Sequence, residues 1–330
     1  MNARAAGLVA AVALLAAAVC GSLLIGNETI GMGTVLGTLL HPDGSDAQRI
    51  VEYLRVPRTL VGVLAGAALG VAGALLQGLT RNALAGPEVL GVNAGAALSV
   101  VLGIAVFGVH TFGGWLWFSF AGAALAGAGV YALASLGRGG ATPVKLALSG
   151  AAATALLGGL TTALTLLDIN TFNAYRYWSV GALTAADAPV IRSALPFLAA
   201  GAVLAVMSAR ALDAIALGDD MARSLGQALV TGRVTAACAV VLLAGTAVAL
   251  AGPIAFVGLT VPHMARALVG PAHRWLLPYA AVLAPVVLLA ADVLGRVVAR
   301  PQELQAGIVT AIAGAPFFVA LVRRRRPAEL

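Results

Sequence analysis

Ala251-Gly-Pro-Ile-Ala-Phe-Val-Gly-Leu-Thr-Val-Pro-His-Met-Ala-Arg266 interrupts apolar chain with two prolines, a histidine and an arginine. Pro253 and Pro262 each lack the amide N–H that a helical ladder uses, so the stretch predicts a broken helix. Non-helical backbone is tolerated at membrane depth where protein or a water-filled path satisfies its polar groups. The segment therefore points to a transport machine built in a membrane.

The chain around it fits that setting. Of 330 residues, 61% are hydrophobic and 10% charged, and mean hydropathy is +0.98, values far from those of a soluble domain. A helix needs about 20 apolar residues to cross the hydrocarbon core, so the length accommodates roughly ten crossings in one transmembrane domain, 1–330. Hydropathy places spans at 6–26, 59–79, 90–109, 115–137, 143–167, 190–209, 231–252, 275–297 and 304–322, with the broken segment at 254–270. The expected fold is an all-α polytopic membrane protein of about ten transmembrane helices, one of them short and broken.

With both termini cytoplasmic, Arg4, Arg81, Arg138, Lys145, Arg210, Arg223, Arg233, Arg266, Arg274 and Arg323 to Arg326 lie inside. Arg49, Arg55, Arg58, Arg176, Arg192, Arg296 and Arg300 lie outside. That asymmetry obeys the positive-inside rule and makes the net charge of +7 a topology signal rather than a mark of nucleic-acid binding. The apolar run after Arg4 reads as the first crossing, because Val19 stands where a cleavage site before Cys20 needs a small residue. Cys20 and Cys238 sit in apolar spans and suggest neither a disulfide nor a metal pair.

Gly62, Gly66 and Gly70, followed in register by Ala74 and Gly78, give the second span a smooth face for close approach of another helix. Three further groupings carry charge or turn signals. Tyr53-Leu-Arg55-Val-Pro-Arg58 places two arginines beside Pro57, a residue suited to a first helical turn. They read either as interfacial anchors or, with Arg296 and Arg300, as an outer basic surface for acidic side chains of a soluble partner. Leu212 to Gly226, in the cytoplasmic loop 210–231, mixes acids with apolar residues. It predicts short helices ending at Gly218 and Gly226, with Asp219 and Asp220 starting the second, either as an ordinary folded loop or as a protruding docking element. Asn82-Ala-Leu84-Ala-Gly-Pro-Glu88 predicts a turn at the inner mouth, either a plain connection or a constriction. Asp292, an acid within a span, has an ion-pair partner four residues on in Arg296. His263 reads as a satisfied polar group at the break rather than a metal ligand.

The single lysine, Lys145, lies in Ala-Thr-Pro-Val-Lys-Leu, so no phosphate-binding loop with Lys-Ser or Lys-Thr can be written. The chain is expected neither to hydrolyse ATP nor to act as an enzyme. An ion-gradient-driven carrier is the competing class, although Asp292 is its lone mid-span carboxylate.

Arg55-Val-Pro-Arg-Thr-Leu, Gly73-Ala-Leu-Leu-Gln-Gly-Leu-Thr-Arg-Asn82, Leu90-Gly-Val-Asn-Ala-Gly-Ala-Ala97, Gly252 to His263 and Gly314-Ala-Pro-Phe-Phe318 together resemble the iron-siderophore and vitamin B12 uptake permeases of bacterial ABC importers. The resemblance implies a type II importer fold: two permease subunits, two cytoplasmic ATPases that bring the ATP and Mg, and an extracytoplasmic substrate-binding protein. By position, Arg55, Arg58 and Arg296 would meet acids of the binding protein. Leu217, Gly218, Asp219, Asp220, Ala222, Arg223, Leu225 and Gly226 would receive the ATPase. Asn82 and Leu84 match the inner gate, and Thr161, Thr165 and Thr310 would face the path. The resemblance implies no cofactor or metal in the chain itself. Ala83 and Gln305 stand where the family often has proline. Asn93-Ala-Gly-Ala-Ala97 and Phe172-Asn-Ala-Tyr-Arg-Tyr-Trp178 look closer to permeases for catecholate-type siderophores, which commonly pair with a different permease chain, so the resemblance leans toward a heterodimer over a homodimer. Ferric siderophore is the implied cargo, with vitamin B12 or haem the runner-up, in a multi-pass protein of the bacterial cytoplasmic membrane.

Overall fold

The computed structural model describes residues 3–26, 30–40, 45–109, 111–136, 142–184, 186–224 and 228–324. They form helices α1 (Ala3–Leu24), α2 (Met32–Leu40), α3 (Asp46–Arg49), α4 (Val56–Leu79), α5 (Val92–Ala105), α6 (Phe112–Ser135) and α7 (Pro143–Leu167). There follow α8 (Ile169–Ser179), α9 (Ala188–Ile215), α10 (Asp219–Ser224), α11 (Leu229–Ala251), α12 (Val257–Val269), α13 (His273–Val298) and α14 (Ala306–Arg324). A π-helical turn, Ile50–Arg55, leads α3 into α4, and a 3₁₀ turn, Pro87–Leu90, leads into α5.

Seven stretches among the described residues are long and apolar enough to cross a membrane: α1, the run from Asp46 to the end of α4, α6, α7, α9, α11 and α13. α5 and the apolar part of α14 are shorter. Local chemistry starts several of them. Thr111, Thr142 and Asp187 accept hydrogen bonds from the first-turn amides of α6, α7 and α9, and prolines occupy the opening turns of α4, α7 and α9.

α4 and α11 are buried over most of their length, whereas α1 and α7 turn most of their surface outward. The glycine face of α4 is what admits α13. A Cβ on Gly66 would lie 2.7 Å from the Pro285 Cα, and one on Gly70 would lie 2.5 Å from the Ala280 carbonyl oxygen. Leucines and valines left outward on α1, α7 and α9, among them Val9, Leu148, Leu156, Val203 and Val206, form an apolar exterior suited to hydrocarbon or a second helical subunit.

Two sequence expectations change here. Pro262 does not break the chain: it lies inside α12, and the interruption is confined to residues 252–256 between α11 and α12. The loop expected over 210–231 is shorter, because α9 continues to Ile215 and α11 begins at Leu229. Gly218, at φ +105°, makes the turn into α10, which starts at Asp219 as expected. Leu225 and Gly226 lie outside the described residues.

Candidate functional site

The break is held by other elements. Gly252 and Phe256 adopt φ of +70° and +68°. The Ala251 carbonyl, deprived of a helical donor, accepts from the Ala182 amide at 2.8 Å, and Gly307 at the head of α14 donates to the Gly181 carbonyl at 2.9 Å. Gly181 lies so close to the Pro253 carbonyl that a Cβ there would come within 2.5 Å. The break, the turn after α8 and the start of α14 therefore form one joint. On its other side, Gln77 of α4 donates to the Leu259 carbonyl at 3.1 Å, and Gly258 packs on Pro87 of the turn before α5.

At the end of the bundle that carries Arg55, a cavity of about 660 Å³ is lined by Tyr53, Leu54, Arg55, Arg58, Asp187, Arg296 and Glu303, among others. Sequence reasoning expected the guanidinium groups at the outer surface. They are instead buried, with Arg55 5%, Arg58 8% and Arg296 2% exposed. Arg55 donates to the carbonyls of Leu23 and Leu24 at 2.6 and 3.0 Å, Arg296 to that of Ser22 at 3.0 Å, and Arg300 to that of Gly26 at 2.5 Å. The physical reason is the end of α1, whose last carbonyls have no intrahelical donors and attract cations. Arg58 grips Asp292 through Nε at 2.9 Å and Nη2 at 2.8 Å, and reaches Glu303 through Nη1 at 2.6 Å. The expected Asp292–Arg296 pair forms at 3.1 Å, so Asp292, fully buried, bridges two arginines. Tyr53 and Leu54, 69% and 63% exposed, supply the rim of this cavity.

At the opposite end of α4, Asn82 accepts from the Leu84 amide at 2.9 Å, a side-chain turn of the kind asparagine makes. Arg81 just before it has φ +47°, an uncommon conformation for a residue with a Cβ. Across from this turn, α10 divides its residues by face. Leu217 and Met221, just before and within it, are 66% and 53% exposed, and the Asp220 carboxylate stands in solvent beside Arg223. Ala222 is fully buried, and Asp219 turns back to pair with Arg81 and, at 2.8 Å, with Arg233 of α11. Ala222 and Asp219, expected with the partner-facing group, belong to the face that holds α10 onto the bundle.

The three threonines expected along a path are buried within the chain. Thr161 and Thr165 donate to carbonyls one turn back, Leu157 at 2.8 Å and Thr161 at 3.0 Å, and Thr310 donates to Gly307 at 3.0 Å. A hydroxyl that satisfies itself on its own helix needs no water, so a threonine in an apolar span is weak evidence of a channel. Sequence reasoning missed Glu303, Arg233 and the role of Arg81. Each acts through a partner distant in sequence, as with Arg81 and Asp219, and no local spacing signals such a pair.

Burial alone would raise the Asp219 carboxyl, but the hydrogen bonds and charges of Arg233 and Arg81 hold it below the ordinary aspartate value. Its contribution to stability is therefore complete above the unfolded value of about 4 and is lost as pH falls through the lower folded value. Hydrogen exchange in α10, corrected for intrinsic rate, should keep its full protection at neutral and mildly acid pH and lose part of it below about pH 4, with buried Ala222 still anchoring the helix.

Residues 14–324 match the FecCD transport family. Ferric enterobactin transport system permease protein FepD of Escherichia coli (strain K12) is 44% identical over 313 residues, 94% of this chain and 93% of the relative. Fe(3+)-citrate import system permease protein YfmD of Bacillus subtilis (strain 168) is 43% identical over 305 residues, 92% of this chain and 90% of the relative. Among solved structures, an inward-facing ABC transporter of metal-chelate type superposes with a TM-score of 0.82 at 27% identity, covering 98% of this chain and 100% of that one.

Proposed function

The chain belongs to the FecCD transport family, and we propose that it is the membrane-spanning permease subunit of an ATP-driven importer that carries a ferric siderophore into the cell. Similarity to ferric-chelate permeases over nearly the whole chain carries the reading. The seven long apolar stretches are joined as crossings by α5, α12 and α14, giving ten, with both termini cytoplasmic as the basic-residue asymmetry favours.

ATP and Mg are handled by a separate pair of ATPase subunits, a reading supported by relatives that are named as the permease proteins of their transport systems. They dock on the exposed face made by Leu217, Gly218, Asp220, Met221 and Arg223. A second permease subunit, a related rather than identical chain, covers the outward face of α7, where nothing lies within 4 Å of a Cβ built on Gly158 or Gly159. An extracytoplasmic binding protein delivers the cargo at the cavity bearing Arg55, Arg58 and Arg296, and its first contacts fall on the exposed rim of Tyr53 and Leu54. Docking and ATP binding shift the subunit between outward- and inward-open states through their different affinities for the two. Asn82 and Leu84 sit where the inner gate changes. A gradient-driven carrier loses support because Asp292, its one candidate coupling acid, is fully engaged by Arg58 and Arg296.

The test is uptake of radioiron-labelled siderophore by cells with and without the chain. Uptake should vanish in its absence and under ATP depletion, and should survive collapse of the proton gradient when ATP is maintained. Uptake that tracks the gradient would overturn the reading. Met221→Asp together with Leu217→Asp should lower ATPase co-purification roughly tenfold or more, because a charge replaces apolar contact at the centre of an interface.

A further inference from the structure

α10 has six residues, too few to hold a helix by their own hydrogen bonds, so its position depends on what anchors it. Two anchors face the bundle. Ala222 is fully buried, and the Asp219 carboxylate receives the Arg233 guanidinium on both oxygens, at 2.9 and 2.8 Å. The same carboxylate also takes Arg81, which belongs to neither α10 nor α11. Arg81 follows the end of α4 and directly precedes Asn82, and its left-handed backbone is a conformation that persists where surroundings fix it. The neighbouring Asp220 makes no such connection and pairs with Arg223 one turn along its own helix. Two adjacent aspartates thus have opposite assignments, one to solvent and one to the bundle.

We infer that Asp219 is a positioning residue that carries movement of the partner-facing helix α10 to the inner turn Arg81–Leu84 through a carboxylate shared between Arg81 and Arg233. The inference rests on the reading of α10 as the ATPase-docking element. A force that displaces α10 stretches the bond to Arg81 and acts on the turn whose shape Asn82 sets. Arg233, fixed on the buried helix α11, supplies the fulcrum that keeps the carboxylate charged and oriented. Docking and transmission are then separable: the exposed face binds the partner, and Asp219 makes that binding matter to the gate.

The experiment uses the whole transporter, purified through a tag on this chain, with Asp219→Asn, Arg81→Gln, the two combined, and Asp219→Glu. Co-purified ATPase and siderophore uptake are measured on each. Asp219→Asn should keep the ATPase bound while uptake falls roughly tenfold, with ATP hydrolysis no longer rising when loaded binding protein is added. Arg81→Gln, which reaches the same bond without altering α10, should reproduce the loss. The double variant should be no worse than either alone, since both remove one interaction. Asp219→Glu should restore part of the uptake. Wild-type uptake in both single variants overturns the inference. So does loss of the ATPase from Asp219→Asn, which would place this carboxylate in the docking surface. Absence of ATPase from the unmutated chain instead overturns the docking reading beneath it.

Discussion

Replacing Asp292 with asparagine is expected to cost the detergent-solubilised chain roughly 3–5 kcal/mol, the loss typical of removing one partner from a buried ionic group. Asp292 is fully buried and bound by Arg58 at 2.8 Å and by Arg296 at 3.1 Å. Asparagine fits the space but takes away the charge, leaving two guanidinium groups close together in a region where uncompensated charge is expensive. Glu303 offsets part of that through Arg58 but does not pair with Arg296. The damage spreads, because Arg296 also holds the Ser22 carbonyl and side chain, so α1 loosens with it. Thermal unfolding followed by size-exclusion chromatography measures the effect, and a loss below about 1 kcal/mol would show that the cluster is solvated. The same geometry explains why reversing Arg58 to glutamate is a poor probe of partner docking. It would set a third carboxylate against Asp292 and Glu303 and unfold the region first.

Gly73→Ala is the second large effect. Pro262 has no N–H for the Gly258 carbonyl one turn before it, and that oxygen lies where a Cβ on Gly73 would be. Glycine at this position lets α4 cover the orphaned carbonyl closely. A methyl group would overlap both the oxygen and the backbone behind it, so α12 must move away from α4, and no flexible side chain is there to yield. The expected cost is about 3 kcal/mol, the upper end for overpacking, with uptake reduced further because α12 begins at the joint between the break and α14. Gly108→Ala makes a useful contrast. It meets nothing within 4 Å, though its φ of +62° adds backbone strain, so it should cost about 1 kcal/mol. Comparable unfolding temperatures for the two variants would contradict the packing argument.

How much of this was legible in the sequence differs by type of signal. The helical spans, the glycine face of α4 and the break near Pro253 were readable because periodic apolar pattern and backbone chemistry are local properties. Pro262 misled because a proline can lie inside a helix at the loss of one hydrogen bond, and the close packing of α12 against α4 at Gly73 holds the helix through it. The arginines misled for a related reason. Their place near a span end suggested an outward surface, but the end of α1 lies within reach and its carbonyls need donors. Asp219 and Asp220 look alike in sequence, and their division depends on Arg81 and Arg233 being brought to one side of α10. Self-bonded threonines cannot be told from path-lining ones by residue type.

Drive of this permease by a separate ATPase is tested by a pull-down of the tagged chain from its native cells in mild detergent, with mass spectrometry of what is retained. An ATPase subunit should be recovered in stoichiometric amount together with a second, related permease chain. Recovery of intact, monodisperse chain that holds no ATPase would contradict a separate ATPase as the driver.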